Sequence, residues 1–99
     1  MSGAPGKMAS VHIWVSGRVQ GVGFRAYVEH VASRLGLTGW VRNVGRDTVE
    51  AVAEGEHAVL EGFVEAVKKG PPSARVEDSR LEWSAATGEF QTFDFRPSA

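Results

Sequence analysis

Val11-His12-Ile13-Trp14-Val15-Ser16-Gly17-Arg18-Val19-Gln20-Gly21-Val22-Gly23-Phe24-Arg25 passes from one periodicity to another within a few residues. Val11, Ile13 and Val15 alternate with His12 and Trp14, the period-two pattern of a strand with one buried face. Ser16 to Gly23 then holds glycines at 17, 21 and 23 and reads as a loop. From Phe24 the apolar residues recur at Phe24, Val28, Val31 and Leu35, a single stripe along a helix. Gly36 stands where such a helix is commonly stopped.

Outward from this unit the same switching continues. Thr38 to Arg42, with Trp40 and Val41, predicts a second strand, and Asn43-Val44-Gly45-Arg46-Asp47 supplies turn residues. Thr48 to Ala53 resumes alternation and completes a hairpin, with Val49, Ala51 and Ala53 on one face. A second helix is expected over Glu56 to Lys69, with Leu60, Phe63, Val64 and Val67 as its stripe. Lys68 and Lys69 suit its negative dipole end, and Gly70-Pro71-Pro72 ends it. Val76 to Trp83 reads as a fourth strand and Phe90 to Arg96 as a short last one. The order is β-α-β-β-α-β with an added C-terminal strand. That is the α+β, ferredoxin-like split-βαβ pattern, an antiparallel sheet with two helices on one face.

The 99 residues suit one domain, expected over residues 10–97 after a flexible Gly/Ser/Pro-containing tail at 1–9. With no cysteine, disulfides, thiolate metal sites and a cysteine nucleophile are excluded. A formal net charge of −1 disfavours a general nucleic-acid binder. No apolar run approaches the roughly 20 residues that cross a bilayer. Met1 to Ser10 lacks the apolar segment of a signal peptide, so a cytoplasmic, monomeric protein without membrane or nucleic-acid partners is expected.

The loop carries the chemistry. Its glycines let backbone N–H groups turn inward at the start of a helix, where they lack internal partners and attract anions. Arg25, in the first helical turn, offers a planar guanidinium that bonds two phosphoryl oxygens at once. Glycine spacing alone leaves a plain connecting loop equally open. The dinucleotide fingerprint and the Lys-Ser/Thr ending of the nucleotide P-loop are both absent, so a small phosphoryl group fits better than a nucleotide.

Gly17-Arg18-Val19-Gln20-Gly21-Val22-Gly23-Phe24-Arg25 resembles the signature of the acylphosphatase family, and Gly39-Trp40-Val41-Arg42-Asn43 resembles that family's second signature. Gly88-Glu89-Phe90 and Phe93-Asp94-Phe95-Arg96 are similar to its closing strand. The likeness spans Val11 to Pro97. It departs at Gly45-Arg46-Asp47, where Asp-Gly is frequent, and at Phe95 and Pro97, where an aliphatic and an aromatic residue are frequent. The resemblance implies hydrolysis of small acyl phosphates, which are carboxyl-phosphate mixed anhydrides, by direct water attack. It implies no metal, no cofactor and no covalent intermediate. Arg25 would clamp the phosphate with the backbone amides of Gln20, Gly21, Val22, Gly23 and Phe24, and Asn43 would hold the attacking water. Gln20 is expected to act through its amide rather than its side chain, and Arg18 and Arg42 to take no direct part.

Other functional readings fare worse. An acylphosphatase-like binding module within a larger protein is the second reading, and an RNA-binding ferredoxin-like domain the third. Thr48 to Ala53 lacks the aromatic residues that an RNA-recognition sheet carries on its third strand. Sheet-face or core packing accounts better for Trp14, Trp40 and Trp83. His12, His30 and His57 lack metal-ligand spacing, and Ser10, Ser16 and Ser33 lack a triad context. Glu54 and Glu56 read as solvated surface.

Overall fold

The computed structural model describes residues 6–99. Its elements are β1 (Met8–Arg18), α1 (Phe24–Arg34), β2 (Thr38–Val44), β3 (Thr48–Glu56), α2 (His57–Lys69), β4 (Arg75–Ala85) and β5 (Phe93–Phe95). Strands lie in the order β4-β1-β3-β2-β5. The first four pair antiparallel, as the ferredoxin-like pattern requires, whereas β5 joins the outer edge of β2 in parallel and makes the sheet mixed.

Element ends differ from the sequence reading where pairing overrides local composition. β1 begins at Met8, inside the segment assigned to the tail, because Met8 and Ala9 pair with Glu56 and Gly55. Residues 1–5 of that tail lie outside the described residues. The same pairing carries β3 past Ala53 to Glu56, so α2 starts at His57. In α1 Ala32 is fully buried, while Leu35, expected on the buried stripe, is 42% exposed. The helix ends at Arg34, and Leu35 is its cap, still in the helical region and donating its N–H to Val31 O at 3.1 Å but at the exposed end of the stripe.

Both helices cover one face of the sheet. Val11, Ile13 and Val15 of β1 meet Val49, Ala51 and Ala53 of β3 there, under Phe24 and Val28 of α1 and Leu60, Phe63, Val64 and Val67 of α2. Full burial of each such side chain contributes about 1.5–3 kcal/mol. In a chain without cross-links, this packing is the main source of stability.

The opposite face has no helices and is covered by its own long side chains. His12 stacks on Trp14 with ring centroids 3.8 Å apart, and the Arg80 guanidinium lies 4.7 Å from the Trp14 ring. Arg42 and Arg96 cover Trp40 at 5.1 and 4.5 Å. Under them Glu50 is buried, 2.6 Å from His12 Nε2 and accepting a 2.7 Å bond from Arg42 Nε. Burial alone would raise the Glu50 pKa, but these two partners outweigh it and hold the carboxyl below its ordinary value. Trp83 instead stacks on His57 at a 4.4 Å centroid distance, on the helix side of edge strand β4.

Glu54 corrects the surface reading given to the Glu54 and Glu56 pair: Glu56 is exposed, but Glu54 is only 4% exposed. Because β3 continues past it, its side chain stays on the sheet beneath the β4–β5 connection. There its carboxylate accepts bonds from Thr87 N at 3.0 Å, Thr87 Oγ1 at 2.9 Å and Gly88 N at 3.0 Å. Burial pushes its pKa up, the bonds from Thr87, Gly88 and Ser10 push it down, and the net direction is down.

A carboxyl with a lowered native pKa adds stability above its unfolded pKa and loses it as pH falls through the native value. Urea midpoints should therefore decline below about pH 5, with Glu54→Gln and Glu50→Gln each flattening that decline. At pH 7 Glu54→Gln should cost about 1–3 kcal/mol. A variant as stable as the parent at pH 7, with the same acid decline, would remove Glu54 as the staple of this connection.

Candidate active site

β1 and β2 are both antiparallel to β3, which lies between them, so they run parallel and end at the same end of the sheet. Val49 faces Val15 on one side and Asn43 on the other. The three share a row, and since Val15 and Val49 face the helices, so does Asn43. This brings Asn43 toward the loop that leads from β1 into α1.

That loop is anchored by the fully buried Val19. Gly21 and Gly23 have φ of 72° and 77°, while no residue other than glycine has positive φ among the described residues. The backbone therefore alternates in hand through Gly21-Val22-Gly23-Phe24, which turns successive N–H groups to one side as an anion nest. A Cβ at either glycine would meet nothing within 4 Å, so it is left-handed backbone geometry rather than crowding that calls for glycine here. Gly23 caps α1 without a side-chain bond, the first turn has no acidic residue, and the helical ladder opens with Tyr27 N donating to Gly23 O at 3.0 Å. The N–H groups of Phe24, Arg25 and Ala26 are thus free of helical partners at the positive end of the dipole.

A cleft of about 350 Å³ opens at this point, lined by Val19, Gly21, Gly23, Phe24, Arg25, Ala26, Asn43 and Phe95. Arg25 and Asn43, 18 residues apart in sequence and on different elements, line the same space. Arg25 enters no ion pair among the described residues, so its charge is not spent on a carboxylate. The lining includes no Asp, Glu, His, Ser or Thr. Such a cleft is cationic on one wall and has a neutral amide on the other. It can hold a tetrahedral anion on N–H groups and a guanidinium while an asparagine amide bonds a water molecule.

Of the loop residues expected to contribute amides, Gly21, Gly23 and Phe24 line the cleft and Gln20 and Val22 do not. Val22 O instead accepts a 3.1 Å bond from Ser73 Oγ. The Gln20 side chain, which sequence reading left idle, is committed: Nε2 donates to Val44 O at 3.2 Å, Gly45 O at 3.1 Å and Thr48 O at 2.9 Å. It ties the loop to the β2–β3 turn directly after Asn43. The chain beyond β5 closes the other side of Asn43, whose carbonyl accepts Ala99 N at 2.9 Å. Arg18 is exposed at the end of β1, and Arg42 faces the far side of the sheet on Glu50. Phe95 was not singled out from sequence as a cleft residue. Its alternation with Phe93 was visible, but only parallel pairing with β2, which sets Phe95 opposite Val41, brings it into the cleft that Asn43 lines. Among the described residues no three His, Cys, Asp or Glu side chains are grouped to hold a metal.

Fold and cleft define a small α+β domain whose glycine-rich strand–loop–helix and arginine face an asparagine across one cleft. The acylphosphatase family model matches residues 11–95. The chain is 50% identical over 90 residues to an acylphosphatase of Anaeromyxobacter sp. (strain Fw109-5), covering 91% of this chain and 97% of that protein. The crystal structure of acylphosphatase from Bacillus subtilis superposes with a TM-score of 0.85 at 41% identity, covering 89% and 98% of the two chains. Full-length HypF in its phosphate- and nucleotide-bound form is also similar, with a TM-score of 0.85 at 28% identity over 98% of this chain but only 13% of HypF. The chain belongs to the acylphosphatase family and is an enzyme that acts on acyl phosphates.

Gln20→Ala removes the only side-chain tie seen between this loop and the turn among the described residues. Amide hydrogen exchange should quicken at residues 21–24 and 45–48, with the β1 and β3 core amides unchanged. Exchange in both segments at the parent rate would show that the tie bears no strain.

Proposed function

We propose that the enzyme hydrolyses acyl phosphates by direct attack of water on a phosphoryl group held in this cleft, with neither metal nor covalent intermediate. The observation that carries this reading is the convergence of Arg25, Asn43 and the loop residues Gly21, Gly23 and Phe24 on one space. Arg25 and the loop amides, Gln20 to Phe24, bind the phosphoryl oxygens, and Asn43 orients the water. Acyl phosphates already have a good leaving group, so catalysis needs placement and charge stabilisation more than a strong acid. The water oxygen bonds to phosphorus, the P–O bond to the acyl group breaks, and the carboxylate departs with the electron pair. The Asn43 amide cannot take up the water proton, which passes to a phosphoryl oxygen of the substrate.

The cleft lining supports both negative parts of the reading. It holds no carboxylate to bind a hard divalent cation and no hydroxyl, thiol or imidazole to serve as nucleophile. The enzyme is further proposed to act as a cytoplasmic monomer. A chain with no cysteine needs no oxidising compartment, and edge strand β4 carries charges that discourage pairing between copies.

Arg25→Ala should lower kcat/KM for acetyl or benzoyl phosphate by at least about 10³-fold, since the transition-state charge loses its guanidinium. Asn43→Ala should act mainly on kcat. Turnover should persist in EDTA, and kcat should show no protein base titrating near neutrality. An Arg25→Ala enzyme with near-parental kcat/KM would refute the cradle, and loss of turnover in EDTA would refute the metal-free route.

A further inference from the structure

The cradle accounts for the phosphoryl end of the substrate and leaves the acyl end to be placed. Four lining residues are apolar with side chains: Val19, Phe24, Ala26 and Phe95. Val19 and Phe24 are 0% and 1% exposed, their surface already covered by the core. Ala26 offers one methyl group. Phe95 is 53% exposed and lines the same cleft as Arg25 and Asn43. A lone exposed phenylalanine is unremarkable on a protein surface; what matters is that this one forms a wall of a cationic cleft. Its backbone is also fixed. Phe95 pairs with Val41 in β2, and the next residue, Arg96, donates its N–H to Val41 O at 2.9 Å.

We propose that Phe95 is the acyl-side wall of the site and biases the enzyme toward acyl phosphates with an aromatic acyl group. This inference rests on the reading of the cleft as the acyl phosphate site. A phosphoryl group seated on Arg25 and the loop amides directs its bridging oxygen away from the cradle, toward the open side of the cleft. There Phe95 supplies the large free apolar surface among the lining residues. An acetyl methyl covers little of that ring. A benzoyl ring covers much more of it, in the offset or edge-on arrangement that aromatic pairs favour. Because this contact is made to substrate and transition state alike, it acts chiefly on KM.

The test compares kcat/KM for benzoyl phosphate and acetyl phosphate in the parent, Phe95→Ala and Phe95→Leu proteins. The parent should favour benzoyl phosphate. Phe95→Ala should lower the benzoyl-to-acetyl ratio about tenfold, largely through a higher KM for benzoyl phosphate. Phe95→Leu, which keeps apolar bulk without the ring, should lower it about threefold, and it decides the matter if circular dichroism shows the alanine variant unfolded. A ratio unchanged in the folded variants, including equal losses on both substrates, overturns the assignment of Phe95 while leaving the cleft reading intact. A parent protein that hydrolyses neither substrate overturns the cleft reading, and this inference with it.

Discussion

The cleft is shaped by how the loop after β1 meets the turn after β2, and the side-chain tie between them is the Gln20 amide, shared among the carbonyls of Val44, Gly45 and Thr48. The loop after β1 and the turn after β2 are separate excursions from the sheet, and β3 lies between their strands. Sheet pairing places both at one end, and Gly17 N, donating to Asp47 O at 3.0 Å, joins the end of β1 to the turn. Beyond that bond, a side chain with two N–H hydrogens, spread over three carbonyls, holds the loop to the turn. Arg25 follows on one side of these ties and Asn43 stands on the other, and both line the cleft.

Charge is arranged with the same economy. The chain carries 12 acidic and 11 basic residues, yet the cleft lining includes a cation and no anion. Two carboxylates of β3, the strand paired with the second signature, are occupied elsewhere. Glu50 is buried between His12 and Arg42 on the far face, and Glu54 holds the Thr87–Gly88 connection. A near-neutral protein thus presents a cleft lined by a cation and no anion, with Glu50 and Glu54 held by partners on the other face of the sheet.

Much of the architecture was legible in the sequence. The switch from alternation at Val11–Val15 to a helical stripe from Phe24 marks a strand, a loop and a helix, and burial of Ile13, Phe24 and Val28 follows that pattern. The glycines at 21 and 23 and Arg25, which line one cleft, stood within the first of the two signatures that marked the family. Glu54 was misread because nothing local distinguishes it from Glu56; its partners lie some thirty residues away, at Thr87 and Gly88. Gln20 was assigned to its backbone for a similar reason: its side-chain acceptors are backbone carbonyls, which carry no signature in a sequence.

The sequence by itself determined the elements, the one-sided helices and the identity of the cation and the glycines. Those features rest on periodicity and on backbone conformations that only certain residues adopt. Only the tertiary structure decided that Asn43 shares a row with Val15 and Val49, that Gln20 ties the loop to the β2–β3 turn, and that Phe95 lines the same cleft. Each of these depends on register between strands distant in the chain or on the parallel addition of β5. Long-range pairing of this kind is settled by the packing of the whole sheet and leaves no trace in any local stretch of residues.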